Sequence, residues 1–413
     1  MITPGDSGAA VIPPAEPAPA ASDTATLRAQ RAVYVAFIGA GFAFASWASR
    51  IPQVRDRLGV TPAVLGLILL SVAVGSLIAL PLAGVIVTKV GASRTVGILA
   101  VILATGLAVA AVGYRFGIGP VVIGLFLVGF GNGAWDVAMN VEGAAVEQRL
   151  GRSVMPKFHA GFSVGTVLGA LLGVVMIAAH VSVTAHLLAV AVLVVAIVPR
   201  AVRGFLPVTP VPKHHDAVRR SPLAAWTERR TVLIGVFVLC MAFTEGTGND
   251  WLSIAMIDGH DAAPAIGTLT LALFLASMTG GRWFGSGVID RFGRVRVLRA
   301  SALIAFVGLM LVVFGHYLAV AVAGAVLWGL GAALGFPSGM SAAADDPLRA
   351  AGRVSVVSSV GYTAFLTGPP LIGFLGDHVG VLKALTVAAG LLALAALLAG
   401  QCGPIATKGD TRD

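Results

Sequence analysis

The chain has 413 residues, of which 57% are hydrophobic and only 11% charged, and its mean hydropathy is +0.92. Soluble domains carry about a quarter charged residues, so a string of soluble domains is excluded and a polytopic helical membrane protein, at ~20 residues per span, is indicated. A net charge of +9 and a pI near 10.2 also raise nucleic-acid binding, which turns on where the bases sit.

Taken in chain order, residues 1–30 read as a disordered cytoplasmic tail. They are rich in Pro, Ala and Ser, and the acids Asp6, Glu16 and Asp23 precede the first base. That is the reverse of a secretory signal's basic start, so the first apolar helix is expected to serve as the insertion signal. Apolar stretches at 32–50, 63–87, 95–113, 118–141, 158–179 and 183–199 predict an N-terminal six-helix bundle over 31–199. The insert 200–230 carries Pro207, Pro210, Pro212, His214 and His215 among its bases and reads as a cytoplasmic linker. Six more stretches, at 231–252, 265–288, 297–316, 318–341, 354–376 and 381–401, predict a C-terminal bundle over 231–401, with 402–413 as a cytoplasmic tail. Cys240 and Cys402 stand in apolar surroundings without a CxxC, which suggests neither a disulfide framework nor a zinc site.

With the N-terminus inside, 22 of the 28 Lys and Arg fall on the cytoplasmic side; Arg50, Arg55, Arg57, Arg115 and Lys383 fall outside and Arg282 within a span. Basic loops stay in the cytoplasm. The high pI therefore becomes a topology signal and a contact with anionic lipids, and nucleic acid drops out as a partner. A cell membrane location with both termini cytoplasmic follows.

An internal repeat supports two halves. Gly129-Phe-Gly131 recurs as Gly329-Leu-Gly331, and Gly161-Phe-Ser163 with Gly173 recurs as Gly361-Tyr-Thr363 with Gly373, both 200 residues on. The stretch Gly84-x-x-x-Thr88-Lys89-x-Gly91-x-x-Arg94 echoes Asp290-Arg291-x-Gly293-Arg294-x-Arg296. An even number of helices per unit makes these parallel repeats about the membrane normal, which is transporter architecture. The expected fold is all-α, with twelve transmembrane helices in two six-helix repeats.

The loop motif Asp290-Arg-Phe-Gly-Arg-Val-Arg296 suggests a gate in which Asp290 and the guanidinium groups of Arg291, Arg294 and Arg94 pair across the halves when the cytoplasmic side closes. Simple positive-inside anchoring is the other reading, and Thr88 stands where the first copy would need its acid. With this motif the chain resembles the major facilitator superfamily from Arg31 to about residue 401. The span-four segment Gly131-x-Gly133-x-x-Asp136-x-Ala138-x-Asn140 is similar to the Gly-x-Gly-x-x-Glu-x-Ala-x-Asn of the fucose–proton symporter branch. The resemblance implies that Asp136 couples protons and that Asn140 lines the cavity. It also implies that spans one, four, seven and ten face that cavity. The branch carries a further acid four residues before a Pro-Gln in span one; here Pro52-Gln53 is preceded at that spacing by Ala48. The branch's coupling scheme is therefore not carried over whole.

Asn132, Asp136 and Asn140 recur every four residues and share a helical stripe. An acid deep in a span is a functional candidate by default; a neutral carboxyl bridging two helices is the structural alternative. Glu245 and Asn249 repeat the spacing in span seven, with Glu245 a candidate second proton site in place of the missing span-one acid. Asp250 and Trp251 read either as an outer gate or as a solvated acid beside an interfacial aromatic. In span five, His159, Ser163 and Thr166 share a face beside Phe162, suiting a small polar solute, while His159 also reads as a solvated end residue. Trp47, Phe44 and Trp135 are candidate apolar walls. Gly161, Gly165, Gly169 and Gly173 form a close-packing stripe, and Gly368-Pro369-Pro370 predicts a kink. For Arg282, snorkelling to the interface is preferred to pairing with an acid across the halves.

No Walker loop, HExxH or clustered metal ligands are present, so neither an enzyme nor a cofactor or metal is expected. The reading is a monomeric secondary transporter using rocker-switch alternating access, with proton-coupled uptake of a sugar or small polar metabolite. A proton-antiporting exporter of drugs or secondary metabolites is the alternative, and a non-transporting membrane receptor a third.

Overall fold

A computed structural model describes residues 21–151, 154–207, 222–346 and 349–404. The first half runs α1 (Ala21–Ala48), α2 (Ile51–Leu58), α3 (Pro62–Val90), α4 (Ala92–Gly113), α5 (Ile118–Leu150), α6 (Met155–Ala178) and α7 (Val183–Ala201). The second runs α8 (Arg229–His260), α9 (Pro264–Phe292), α10 (Arg294–Phe314), α11 (Leu318–Ala332), α12 (Gly335–Ala343), α13 (Ala350–Val379), α14 (Val381–Ala384) and α15 (Thr386–Leu398). The fold is all-α, as expected. Helix α1 begins at Ala21, inside the segment read from sequence as tail. Span one continues past a turn at Arg50 as α2, and span ten divides into α11 and α12.

Local chemistry sets several of these ends. Thr61 caps α3 by accepting from Val64 N, with Pro62 in the first turn, and Ser182 caps α7 by accepting from Ala185 N. Gly91 and Gly293 turn the chain at φ of 85° and 82°, a left-handed region that favours glycine. The glycines of the two loop motifs thus have a backbone reason. Among the described residues, eleven helices are long and apolar enough to cross a membrane. Helix α13, at 30 residues, is long enough too, but Ser355, Ser358, Ser359, Thr363, Thr367 and its Gly-Pro-Pro dilute its apolarity.

The repeat is visible in the packing. Spans one and five, two and four, three and four, and three and six pack together in the first half; their counterparts, seven and eleven, eight and ten, nine and ten, and nine and twelve, do so in the second. The predicted glycine stripe packs inside the first half, where Gly165 and Gly169 abut the backbone of α1 at Ile38 and Phe42. Among the described residues, two main seams join the halves, α3 with α13 and α6 with α9, and a smaller contact joins α2 to α8.

Candidate functional site

The ends of the bundle differ. One carries the start of α1, the described ends of the linker at 207 and 222, the end of the described chain at 404 and most of the described bases, and is called the basic end. At the opposite end the halves touch backbone to backbone: Gly66 of α3 lies against Pro369 and Pro370 of α13, and Gly373 against Pro62. Asp377 accepts from the Ala63 N–H at 3.1 Å, and Arg55 of α2 pairs with Asp258 of α8. On the other seam, the Thr279 hydroxyl of α9 donates chiefly to the Leu275 carbonyl of its own helix at 2.7 Å and reaches the Ser163 carbonyl at 3.4 Å. Among the described residues, no side-chain hydrogen bond joins the halves nearer the basic end than this one. Beyond it the glycines Gly280 and Gly287 of α9 and Gly84 of α3 have open space where a side chain would project. The halves are closed at the opposite end and parted at the basic end.

Two clusters stand where they part. Asp136 of α5 is partly accessible and accepts from Asn140 Nδ2 at 3.2 Å, while the same amide donates to the Asp136 carbonyl at 2.8 Å. Among the described residues it has no basic partner. Across the gap Tyr362 of α13 lies within electrostatic range of it. The second cluster sits by the α6–α9 seam. Glu245 of α8 accepts from Arg282 Nη2 at 2.7 Å, and Arg282 Nε donates to the Ala333 carbonyl at 3.3 Å. His159 of α6, exposed and edge-on to Phe37 with centroids 5.1 Å apart, is in electrostatic range of Arg282.

The expected residues fare unequally. Asp136 and Asn140 come together, while Asn132 lies partly buried on the same helix without a side-chain bond. Ser163 is buried and His159 borders the gap. Asn249 Oδ1 is buried and has no partner. Trp47 and Trp135, expected as walls of the site, are instead buried within the first half at 3% and 0% exposure. Their bulk fills the core, with Trp135 beside Gly39 of α1. Arg282 neither stands free nor pairs across the halves: its guanidinium is held by the Glu245 carboxylate of its own half and by the Ala333 carbonyl. Asp290, Arg291 and Arg94 are exposed, and Arg291 lies over the Phe292 ring at 5.3 Å. Arg294 pairs within its own half, with Asp345 at 2.9 Å.

Sequence reasoning missed Tyr362, the Arg282–Glu245 pair and the Arg55–Asp258 contact. The Tyr at the position of Phe162 in the repeat, and the unusual polarity of span eleven, were the available signals. The other two depend on helix registers that no short motif encodes.

A family model for the Major Facilitator Superfamily matches residues 33–355. An uncharacterised MFS-type transporter of Yersinia pestis is 29% identical over 377 residues, covering 91% of this chain and 94% of that protein. An uncharacterised transporter of Sinorhizobium fredii is 31% identical over 374 residues, covering 89% and 97%. The crystal structure of a mutant of the nucleoside transporter NupG superposes with a TM-score of 0.75 at 14% identity, covering 92% of this chain and 99% of that one; at that identity the likeness concerns the fold. The family match and the near full-length relatives agree with the two-seam architecture, and the chain belongs to the Major Facilitator Superfamily.

Proposed function

We propose that the protein is a proton-coupled secondary transporter that moves a sugar or similarly small polar solute by alternating access. The basic end faces the cytoplasm, so the arrangement described above is the inward-open one. The observation that carries the reading is Asp136, a carboxyl on a membrane helix with an amide for partner and, among the described residues, no cation. It lies at the gap between the halves, within electrostatic range of Tyr362. An unpaired charge in a low-dielectric setting is costly, so proton uptake neutralises it and makes closing the halves around it less costly. Glu245 already has its counter-charge in Arg282. Asp136 is therefore the proton site, and Glu245 structures the second cluster. Asn132, Asn140, Asn249 and His159 supply hydrogen bonds to the solute, in keeping with the span-four likeness to the fucose–proton symporters, while Ser163 is buried at 2% exposure and packs the seam. Asp290 with Arg291, Arg294 and Arg94 would meet when the basic end closes.

The test is proton movement. A solute that stabilises the purified protein is added to proteoliposomes holding a pH-sensitive dye. Acidification of the compartment that the solute enters supports symport. Alkalinisation there indicates the exporter alternative, and solute entry without a pH change contradicts proton coupling.

A further inference from the structure

Arg282 lies where the two halves separate. One turn toward the opposite end, Thr279 still reaches the Ser163 carbonyl of the other half at 3.4 Å. One turn toward the basic end from Ser163, His159 comes within electrostatic range of the guanidinium. That guanidinium is already occupied. Nη2 donates to Glu245 Oε1 at 2.7 Å and Nε to the Ala333 carbonyl at 3.3 Å. The carbonyl is available because span ten breaks between Ala332 and Gly335, and a helix end leaves its last carbonyls without N–H partners. The Arg282 and Glu245 side chains keep 24% and 17% of their exposure. The pair therefore borders the parted space without being sealed in the core.

We infer that Glu245 sets the charge selectivity of the site: by occupying Arg282 it withholds the guanidinium at this seam from anionic solutes and leaves neutral polar solutes as cargo. This rests on the transport reading above and narrows its solute class. Arginine is the side chain best shaped to recognise carboxylate and phosphate. Left free at the edge of the gap, it would draw anions in. Satisfied by a carboxylate and a carbonyl, it presents little net charge, and the carboxyl of Asp136 across the gap adds nothing that attracts an anion. Specificity of this kind comes from withholding a favourable contact as much as from making one. A hydroxyl-rich neutral solute meets Asn132, Asn140, His159 and Tyr362, which offer hydrogen bonds without a full positive charge.

Purified protein is melted with matched probes, galactose against galacturonate and adenosine against adenosine 5′-monophosphate. Wild type is expected to be stabilised by a neutral probe and not by its anionic partner. In Glu245→Gln the anionic partner should now raise the melting temperature as well. The double variant Glu245→Gln/Arg282→Gln should lose that gain and keep the response to the neutral probe. Wild-type stabilisation by the anion at least equal to that by its neutral partner overturns the proposal, as does unchanged anion exclusion in Glu245→Gln. Should that variant not fold, the double variant decides: a retained neutral response supports the proposal, and its loss makes the pair a direct solute contact and overturns it. No stabilisation by any probe in any form sinks the polar-solute reading itself, and the charge rule falls with it.

Discussion

Asp136 and Glu245 are both carboxylates on membrane helices, and their surroundings separate their roles. Asp136 was legible because its two asparagines recur at helical spacing on one chain segment, and the structure keeps one of them as its partner. Glu245 was legible as an acid but its partner was not, because contact with Arg282 depends on how α8 and α9 sit side by side. That contact carries a prediction. Glu245→Gln leaves a guanidinium without its charge, which should destabilise the fold by about 2–3 kcal/mol, below the ~3–5 kcal/mol for breaking a fully buried pair. The double variant with Arg282→Gln should recover much of the loss. Melting of the four proteins in a mutant cycle checks it, and additive losses would contradict the pairing.

At the scale of elements, the closed end depends on backbone approach. Gly373 of α13 leaves no room for a side chain against Pro62 of α3. Gly373→Val should therefore wedge this seam open. The readout is alkylation of a cysteine placed at Gln53, whose amide is buried at that end; labelling should speed up, and an unchanged rate would contradict the seam. Arg55 and Asp258 pair across the same end with side-chain exposures of 12% and 41%. A pair this exposed is worth about 1 kcal/mol at most. Asp258→Asn should thus raise the same labelling by up to roughly fivefold, since ~1.4 kcal/mol corresponds to tenfold. The predicted spans were legible from apolar length, and the glycine turns from their motifs. The break in span ten had its signal in Pro337, which has no N–H for the Ala333 carbonyl four residues back, but the apolar run Gly329-Leu-Gly-Ala-Ala-Leu-Gly335 reads as one continuous span. Gly281 and Gly285 of α9 approach tightly at Ala333 and Leu334, where the helix divides.

For the molecule as a whole, the sequence repeat foretold two equivalent bundles, and equivalent spans pack alike in each. How far the halves stand apart was not legible, since it depends on two seams that no local pattern records. Outside the spans, the linker's end is clasped to α13 where Glu228 accepts from Arg353 Nε at 2.6 Å. Arg353 beside it holds the Glu228 carboxyl below the usual carboxylate range. A lowered carboxyl contributes stability at pH above its ordinary value, and that contribution is lost as the pH falls through the lowered one. Glu228→Gln should therefore cost up to about 1 kcal/mol at neutral pH and less at pH ~3, where the usual carboxylate value has been passed and the contribution is declining. Thermal melts of both proteins at the two pH values check the sign; an equal difference at both would contradict it.

The central claim, that Asp136 carries the proton while the halves alternate around the solute, separates two activities in one variant. In proteoliposomes, Asp136→Asn should exchange labelled solute across the membrane as wild type does, yet fail to concentrate it when a pH gradient is imposed. Gradient-driven accumulation at the wild-type level in Asp136→Asn would contradict the account.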